Sequence, residues 1–261
     1  MSSVIDFHAH FFGDAAGADD IALEAARLGV DCLCVSNVSS YIPGPDEVER
    51  LNAVIYEGCA RHPGVLMPFT YVNPMHGERA IAMLNDGLRH GICGIKLWVS
   101  VWADDPCVEP FARWAIDHDL PIMHHSWMKW NGNIPSESQA HQVARLGRKF
   151  PDLRLVMAHV GGDWEFGVKA VRDVESVSVD TSGSYGDSGM IETCVAELGE
   201  DRVLFGSDVP GVDLAFTLAK ITGADISAEA KEKILGLNAL RVLGARCCPM
   251  SPLDVAPEAG C

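Results

Sequence analysis

Val4-Ile5-Asp6-Phe7-His8-Ala9-His10 is an apolar run that ends in two histidines one residue apart. In a β-strand residues i and i+2 share a face, so His8 and His10 aim at one spot, as two ligands of a single metal ion must. Asp6 falls on the same face. A pair of neighbouring histidines in a solvated turn would carry little information. Here the pair closes a strand-like run, and imidazole ligands point to zinc or another first-row ion.

The pattern of that run repeats along the chain. Asp31 to Asn37, Val65 to Asn73, Gly94 to Val99, Leu120 to His125, Leu153 to His159, Val177 to Thr181 and Val203 to Asp208 are further apolar runs, at intervals of roughly thirty residues. Helical patterns alternate with them: Asp19 to Leu28, stopped by Gly29, then stretches near Asp46 to Arg61, His76 to His90, Pro106 to His118 and Ser136 to Phe150. Helices near Gly211 to Thr222 and Ala228 to Leu243 finish the chain's ordered part.

Strands buried on both faces and alternating with helices imply a parallel sheet with right-handed crossovers. Eight such units match a closed (β/α)8 TIM barrel, an α/β fold built as a single domain. The expected division is a barrel over residues 1–244 and a flexible C-terminal tail over 245–261, where Pro249, Pro252 and Pro257 follow Gly244. An open doubly wound sheet is the competing architecture. No Gly-x-Gly-x-x-Gly turn follows the first strand, which weakens a dinucleotide-binding reading.

At 261 residues the chain is long enough for one large core. Its formal net charge of -16 repels phosphate backbones and anionic lipid surfaces, so neither nucleic acid nor a membrane is an expected partner. No run of about eighteen apolar residues suits a spanning helix. With no basic segment before the first strand, the expected compartment is the cytoplasm. The nine cysteines sit mostly in apolar contexts and read as reduced, buried thiols; Cys247, Cys248 and Cys261 read as a thiol-bearing tail.

The placement of chemistry-bearing residues is the decisive pattern. His8 and His10 close strand one, Lys96 lies late in strand four, His124 and His125 close strand five, His159 closes strand six, and Asp208 closes strand eight. In a barrel these C-terminal strand ends converge on one mouth, where the βα loops build the active site. The other histidines, His62, His76, His90, His118 and His141, fall in helices or loops and read as surface residues.

The arrangement resembles the amidohydrolase superfamily and, within it, the amidohydrolase-2 branch. The resemblance runs from Val4 to about Gly244 and rests on D-F-H-A-H, G-I-K-L-W, P-I-M-H-H, A-H-V-G-G, F-G-S-D and the closing L-G-L-N-A-L-R, in order and on successive strands. It implies that His8, His10, a strand-five histidine and Asp208 bind a divalent metal, zinc first and manganese second. His159 then serves as an acid/base beside the metal or as a ligand of a second ion. In the family the strand-five ligand commonly stands four positions after the strand's proline, here Pro121, which selects His125 and leaves His124 as a core histidine facing the helices.

Lys96 has three readings: a carbamylated bridge between two metals, as in dinuclear members; a free ammonium that holds a substrate carboxylate; or a packed stem paired to an acid such as Asp6. One tightly held metal is the preferred expectation.

A bound zinc lowers the pKa of its water to about 7 and polarises a carbonyl. The leading functional expectation is therefore hydrolysis of a lactone, amide or ester bond of a small polar substrate, a sugar-acid lactone being preferred. Asp208 would move the water's proton and His159 would steady the oxyanion. The runner-up is non-oxidative decarboxylation of an unsaturated carboxylate at the same site, a reaction that members of this branch perform. A barrel that binds metal or a sugar acid without catalysis is the least favoured.

Trp98, Trp127 and Lys129 are the substrate-binding candidates, with Trp102, Trp130, Asp163 and Trp164 nearby in the βα loops. Aromatic rings there could stack on a flat substrate, and Lys129 could pair with a carboxylate. Asp180-Thr181-Ser182, Asn37 and Asn73 are further strand-end polar residues. Asn238 and Arg241 are expected to dock the last helix. A homodimer through outer helices is compatible with the resemblance.

Overall fold

The structure, a computed structural model, describes residues 3–244. Eight strands follow one another around a single sheet in sequence order. They are β1 (Ile5–His10), β2 (Cys32–Ser36), β3 (Leu66–Tyr71), β4 (Gly94–Leu97), β5 (Ile122–His124), β6 (Leu155–Met157), β7 (Val177–Asp180) and β8 (Val203–Leu204). Every neighbouring pair from β1–β2 to β7–β8 is parallel.

The seam between β8 and β1 closes through backbone bonds. Phe7 N donates to Phe205 O (2.9 Å), Asp208 N to His8 O (2.7 Å) and His10 N to Val209 O (2.8 Å). The result is the expected (β/α)8 barrel.

Outside lie α1 (Ala16–Leu28), α2 (Pro45–Arg61), α3 (Glu78–Arg89), α4 (Glu109–Asp117), α5 (Ala140–Lys149), α6 (Trp164–Val171), α7 (Met190–Leu198), α8 (Leu214–Thr222), α9 (Ala228–Glu232) and α10 (Asn238–Leu243). Gly29 ends α1 as the sequence suggests, at φ 73, where an L side chain would be strained, with its N–H turned back to the helix's last carbonyls. The helix expected over Ala228 to Leu243 is broken by a π-helical turn, Lys233–Leu237. Asn238 Nδ2 donates to Glu200 O (2.7 Å) and Val203 O (2.8 Å), and Arg241 reaches Asp201 O, so both residues dock the last helix beneath β8.

Every strand residue is buried. That is why the runs look continuously apolar: one face packs inside the barrel and the other meets the helices. Cys59 and Cys194 are buried free thiols whose pKa burial pushes up to about 12. Cys247, Cys248, Cys261 and the expected tail over 245–261 lie outside the described residues. No helix among the described residues is long and apolar enough to cross a membrane.

Candidate metal centre and active site

His8, His10, Lys96, Trp98, His125, Trp127, His159 and Asp208 meet at the C-terminal ends of the strands, around a cavity of about 270 Å³ that Phe12, Val38 and Gly211 complete. The carrying elements are β1, β4, the ends of β5, β6 and β8, and the loops after β1, β2, β4, β5 and β8.

Each β1 histidine is pinned through one ring nitrogen. His8 Nδ1 donates to Asp180 Oδ2 (3.0 Å) and His10 Nδ1 to Ser36 O (2.9 Å). The Nε2 atoms are left to converge on Asp208, 3.6 Å and 3.3 Å from its Oδ1. Two imidazole nitrogens and a carboxylate oxygen, all within 4.8 Å of one another, form a donor set suited to a divalent first-row ion. Their fixed tautomers are those a ligand needs. His8, His159 and Asp180 also cluster. There, however, His8 and Asp180 are joined by a direct hydrogen bond, which leaves no room for an ion between them.

Asp208 stands at φ 69 and His159 at φ 60, with Val160 following at φ 48. Non-glycine residues in this region cost on the order of 1–3 kcal/mol each and cluster where function demands the geometry. His159 sits in a 3-10 turn, Ala158–Gly161, just past the end of β6. Asp180 holds it there by accepting from His159 N (3.0 Å).

Burial drives the electrostatics. It lowers the His8 pKa to about 4, helped by the charge of Lys96, and lowers that of His159 well below the ordinary histidine value. Burial pushes Asp208 upward, but the hydrogen bond with His10 and the nearby His159 and His8 outweigh it and hold the carboxyl well below the usual range. Asp208 is thus an anion, as a ligand should be. Burial also lowers the Lys96 ammonium to about 8.

Lys96 does not pair with Asp6. Its Nζ lies 2.7 Å from His8 Nε2 and donates to it. Asp6 instead turns into the β1–β8 seam, where its Oδ1 accepts from His8 N and Ser207 N (both 3.0 Å). Strict alternation failed for Asp6 because the pairing of β1 with β2 shifts register between Asp6 and Ala9.

The two strand-five histidines take different places. His124 is buried, its Nδ1 bonded to His125 O (2.7 Å). His125 enters the pocket wall, outside the compact donor group of His8, His10 and Asp208. Its Nε2 donates to Glu137 Oε1 (3.0 Å), and its Nδ1 lies 3.1 Å from His159 Nε2.

Lys129 lines the neighbouring basin and is paired within the protein. Its amine is bound by both Glu137 oxygens at 2.8 Å, and it does not line the metal-side cavity. Trp98 and Trp127 do line it, and Trp127 packs against His159 with ring centroids 4.7 Å apart. Trp102 and Trp130 are 51% and 93% exposed and form no part of that wall. Asp163 caps α6 by accepting from Phe166 N, and Asn73 caps the turn at Pro74–His76. Among the described residues, His62, His76, His90, His118 and His141 stay away from the cavity.

Sequence reasoning did not assign roles to Asp180, Ser182, Ser36 and Glu137. The first two carried a signal, a carboxylate and a hydroxyl closing a barrel strand. Ser182 Oγ lies 2.9 Å from His159 Nδ1 and 3.0 Å from His8 Nδ1. Ser36 acts through its carbonyl, and Glu137 lies in an irregular loop, so neither was visible in a motif.

The family model of the amidohydrolases, Amidohydro_2, matches residues 5–245. The chain belongs to the amidohydrolase-2 family. It is an enzyme of the metal-dependent amidohydrolase superfamily, and a divalent metal goes with that membership. No curated protein matches it in sequence.

Among solved structures, 2,6-dihydroxybenzoate decarboxylase from Rhizobium is similar with a TM-score of 0.74 at 16% identity, covering 93% of this chain and 99% of that one. The 5-carboxyvanillate decarboxylase of Sphingomonas paucimobilis gives 0.74 at 14% identity, with 93% and 99% covered. A dihydroxybenzoic acid decarboxylase from Polaromonas sp. JS666, solved with manganese and the inhibitor 2-nitroresorcinol, gives 0.74 at 17% identity, with 93% and 97% covered. At these identities the likeness establishes a shared fold.

Proposed function

We propose that this member of the family is a decarboxylase that releases carbon dioxide, without oxidation, from a small planar conjugated acid. The observation that carries this reading is the Lys96 amine, buried 2.7 Å from His8 Nε2 in a cavity walled by Trp98, Trp127 and Phe12. His8 Nε2 has one lone pair, so in the metal-loaded site the Lys96 ammonium would be available to a carboxylate, and the tryptophans would admit a flat ring. The acids named for the structurally similar decarboxylases are planar aromatic carboxylates, and manganese in one of them supports a divalent ion here.

The ligands in this reading are His8 and His10 through Nε2 and Asp208 through its carboxylate, with His125 on the pocket wall as the fourth candidate. A divalent ion held there supplies positive charge beside the reacting carboxylate. Lys96 would orient that carboxylate, and the tryptophan walls would exclude water. The carbon that carries the carboxylate takes up a proton and becomes tetrahedral; the C–C bond then breaks, and its electron pair restores the conjugated system as carbon dioxide leaves. His159, whose Nε2 lies 3.1 Å from His125 Nδ1, would deliver that proton and recover one from solvent.

Hydrolysis, the first expectation from sequence, becomes the second reading, because a charged amine buried at the reacting centre suits an anionic substrate better than a neutral ester or amide. It keeps one observation in its favour. Beyond Trp127 a basin of about 600 Å³, lined by Trp130, Asp163, Trp164, Glu165, Tyr185 and Asp187, has room for the polyhydroxylated part of a lactone.

The test is to load the protein with manganese or zinc and offer hydroxybenzoates, conjugated dienoic acids and sugar-acid lactones in deuterated water. Carbon dioxide release with deuterium at the vacated carbon is expected from at least one acid. Lactone opening with no carbon dioxide from any acid would replace this reading by hydrolysis.

A further inference from the structure

The loop between β5 and α5 supplies a group that neither the sequence motifs nor the family match assigns. Glu137 is 3% exposed, yet it is an acid in a segment without regular secondary structure. Four donors surround its carboxylate: Lys129 Nζ at 2.8 Å from both oxygens, Asn133 Nδ2 at 3.1 Å, Ile134 N at 3.1 Å and His125 Nε2 at 3.0 Å. A buried acid so fully satisfied is a built feature rather than a stray surface residue.

We propose that Glu137, braced by Lys129, is a positioning residue that holds His125 in the Nε2–H tautomer and keeps its Nδ1 directed inward toward His159.

The argument follows from what each atom can do. A carboxylate only accepts, so the hydrogen lies on His125 Nε2. Neutral imidazole has one hydrogen, which leaves Nδ1 with a lone pair facing the cavity. The nearest partner of that lone pair is His159 Nε2, 3.1 Å away, which must then donate. His159 Nδ1 lies 2.9 Å from the Ser182 hydroxyl, which itself donates to Asp180 Oδ1, so the inference is confined to His125. One loop acid therefore sets which nitrogen of His125 faces the site.

Lys129 neutralises the acid, so that burying Glu137 beside a neutral imidazole does not leave an unpaired charge. This gives Lys129 a role in place of the substrate contact expected of it. The Nδ1 lone pair is also the atom His125 would offer an ion, in the way a carboxylate behind a ligating histidine normally fixes which nitrogen faces the metal.

The inference gives a mechanism for His125 within the reaction proposed above, but its direct readout is independent of that reaction. Two-bond proton–nitrogen correlation spectra of the metal-free protein report the tautomer of each histidine, and the His125→Asn spectrum identifies the His125 signals. Wild type is expected to show His125 protonated at Nε2 only. Glu137→Gln should preserve that state, because the amide oxygen still accepts, whereas Glu137→Ala should give a mixed or inverted tautomer. Turnover of the identified substrate should fall about 10–100-fold in Glu137→Ala with little change in KM, and largely recover in Glu137→Gln.

An Nδ1–H tautomer in wild type, or an unchanged tautomer in folded Glu137→Ala, overturns the inference. Should Glu137→Ala not fold, the wild-type and Glu137→Gln spectra decide alone. A confirmed tautomer with no carbon dioxide release from any acid would leave this inference standing and remove the decarboxylase reading.

Discussion

Two single residues concentrate the energetics of the site. Lys96 competes with an ion for His8 Nε2, and the two positive charges cannot share that lone pair. Lys96→Met keeps most of the buried stem and removes the charge. It should leave metal content at no less than one equivalent, while KM for the carboxylate substrate rises about 10–100-fold, the worth of a charge-assisted hydrogen bond. Metal analysis and steady-state kinetics check both halves. Metal loss in this variant would instead identify a carbamylated bridge between two ions.

Gly167 is the second such residue, and it lies outside the pocket. A Cβ there would stand 1.8 Å from the carbonyl oxygen of Val160, part of the left-handed turn that carries His159. Backbone cannot swing aside as a side chain can, so Gly167→Ala should destabilise the fold by about 1–3 kcal/mol and displace His159. Thermal unfolding with parallel activity measurements checks this, and a variant of unchanged stability and activity would show that α6 can shift without moving the turn.

At the scale of elements, the strand ends explain both what the sequence disclosed and what it hid. Apolar runs disclosed all eight strands and their order, because a strand buried on both faces has no polar alternation to confuse the reading. They overstated the lengths. The run Val203 to Asp208 holds only two ladder residues, since Phe205 O, Ser207 N and Asp208 N turn to bond with β1 instead of β7. Likewise β6 ends at Met157, before the left-handed turn that presents His159. The chemistry thus begins where the ladder stops, at residues still apolar enough in their surroundings to read as strand.

His8, His10, His159 and Asp208 were legible because their motifs place them at such ends. Glu137 and Ser36 were not, because one depends on how an irregular loop folds back and the other meets His10 Nδ1 mainly through its carbonyl. Asp180 lies between these cases. It ends β7, and its carboxylate accepts from His8 Nδ1 on β1, from His159 N after β6 and from Ser182 N after its own strand. Asp180→Ala would orphan these buried donors, and a loss on the order of 3 kcal/mol in urea unfolding is expected. A loss below about 1 kcal/mol would mean that the three strand ends are held by the surrounding barrel alone.

For the whole molecule, the position of the donor set matters as much as its chemistry. His8 and His10 come from the first strand and Asp208 follows the last, so an ion bound by them bridges the seam at which the barrel closes. That seam is joined by a few backbone bonds and the buried Asp6–Ser207 contact, whereas β2–β3 and β3–β4 share regular ladders. An ion ligated from both sides ties the two ends of the fold together and binds only the folded chain, because the unfolded chain separates its ligands by about 200 residues.

Mass action then sets the size of the effect. At free metal a hundredfold above its dissociation constant, the folded state gains about 2.7 kcal/mol. For a domain of this size that corresponds to a rise of roughly 5–10 °C in Tm. Chelation followed by removal of the chelator should lower Tm by that amount, and readdition of manganese or zinc should restore it. In Asp208→Asn and His10→Ala the metal-dependent part of the shift should largely disappear. An unchanged Tm in protein shown by elemental analysis to have lost its metal would place the ion somewhere other than across the seam.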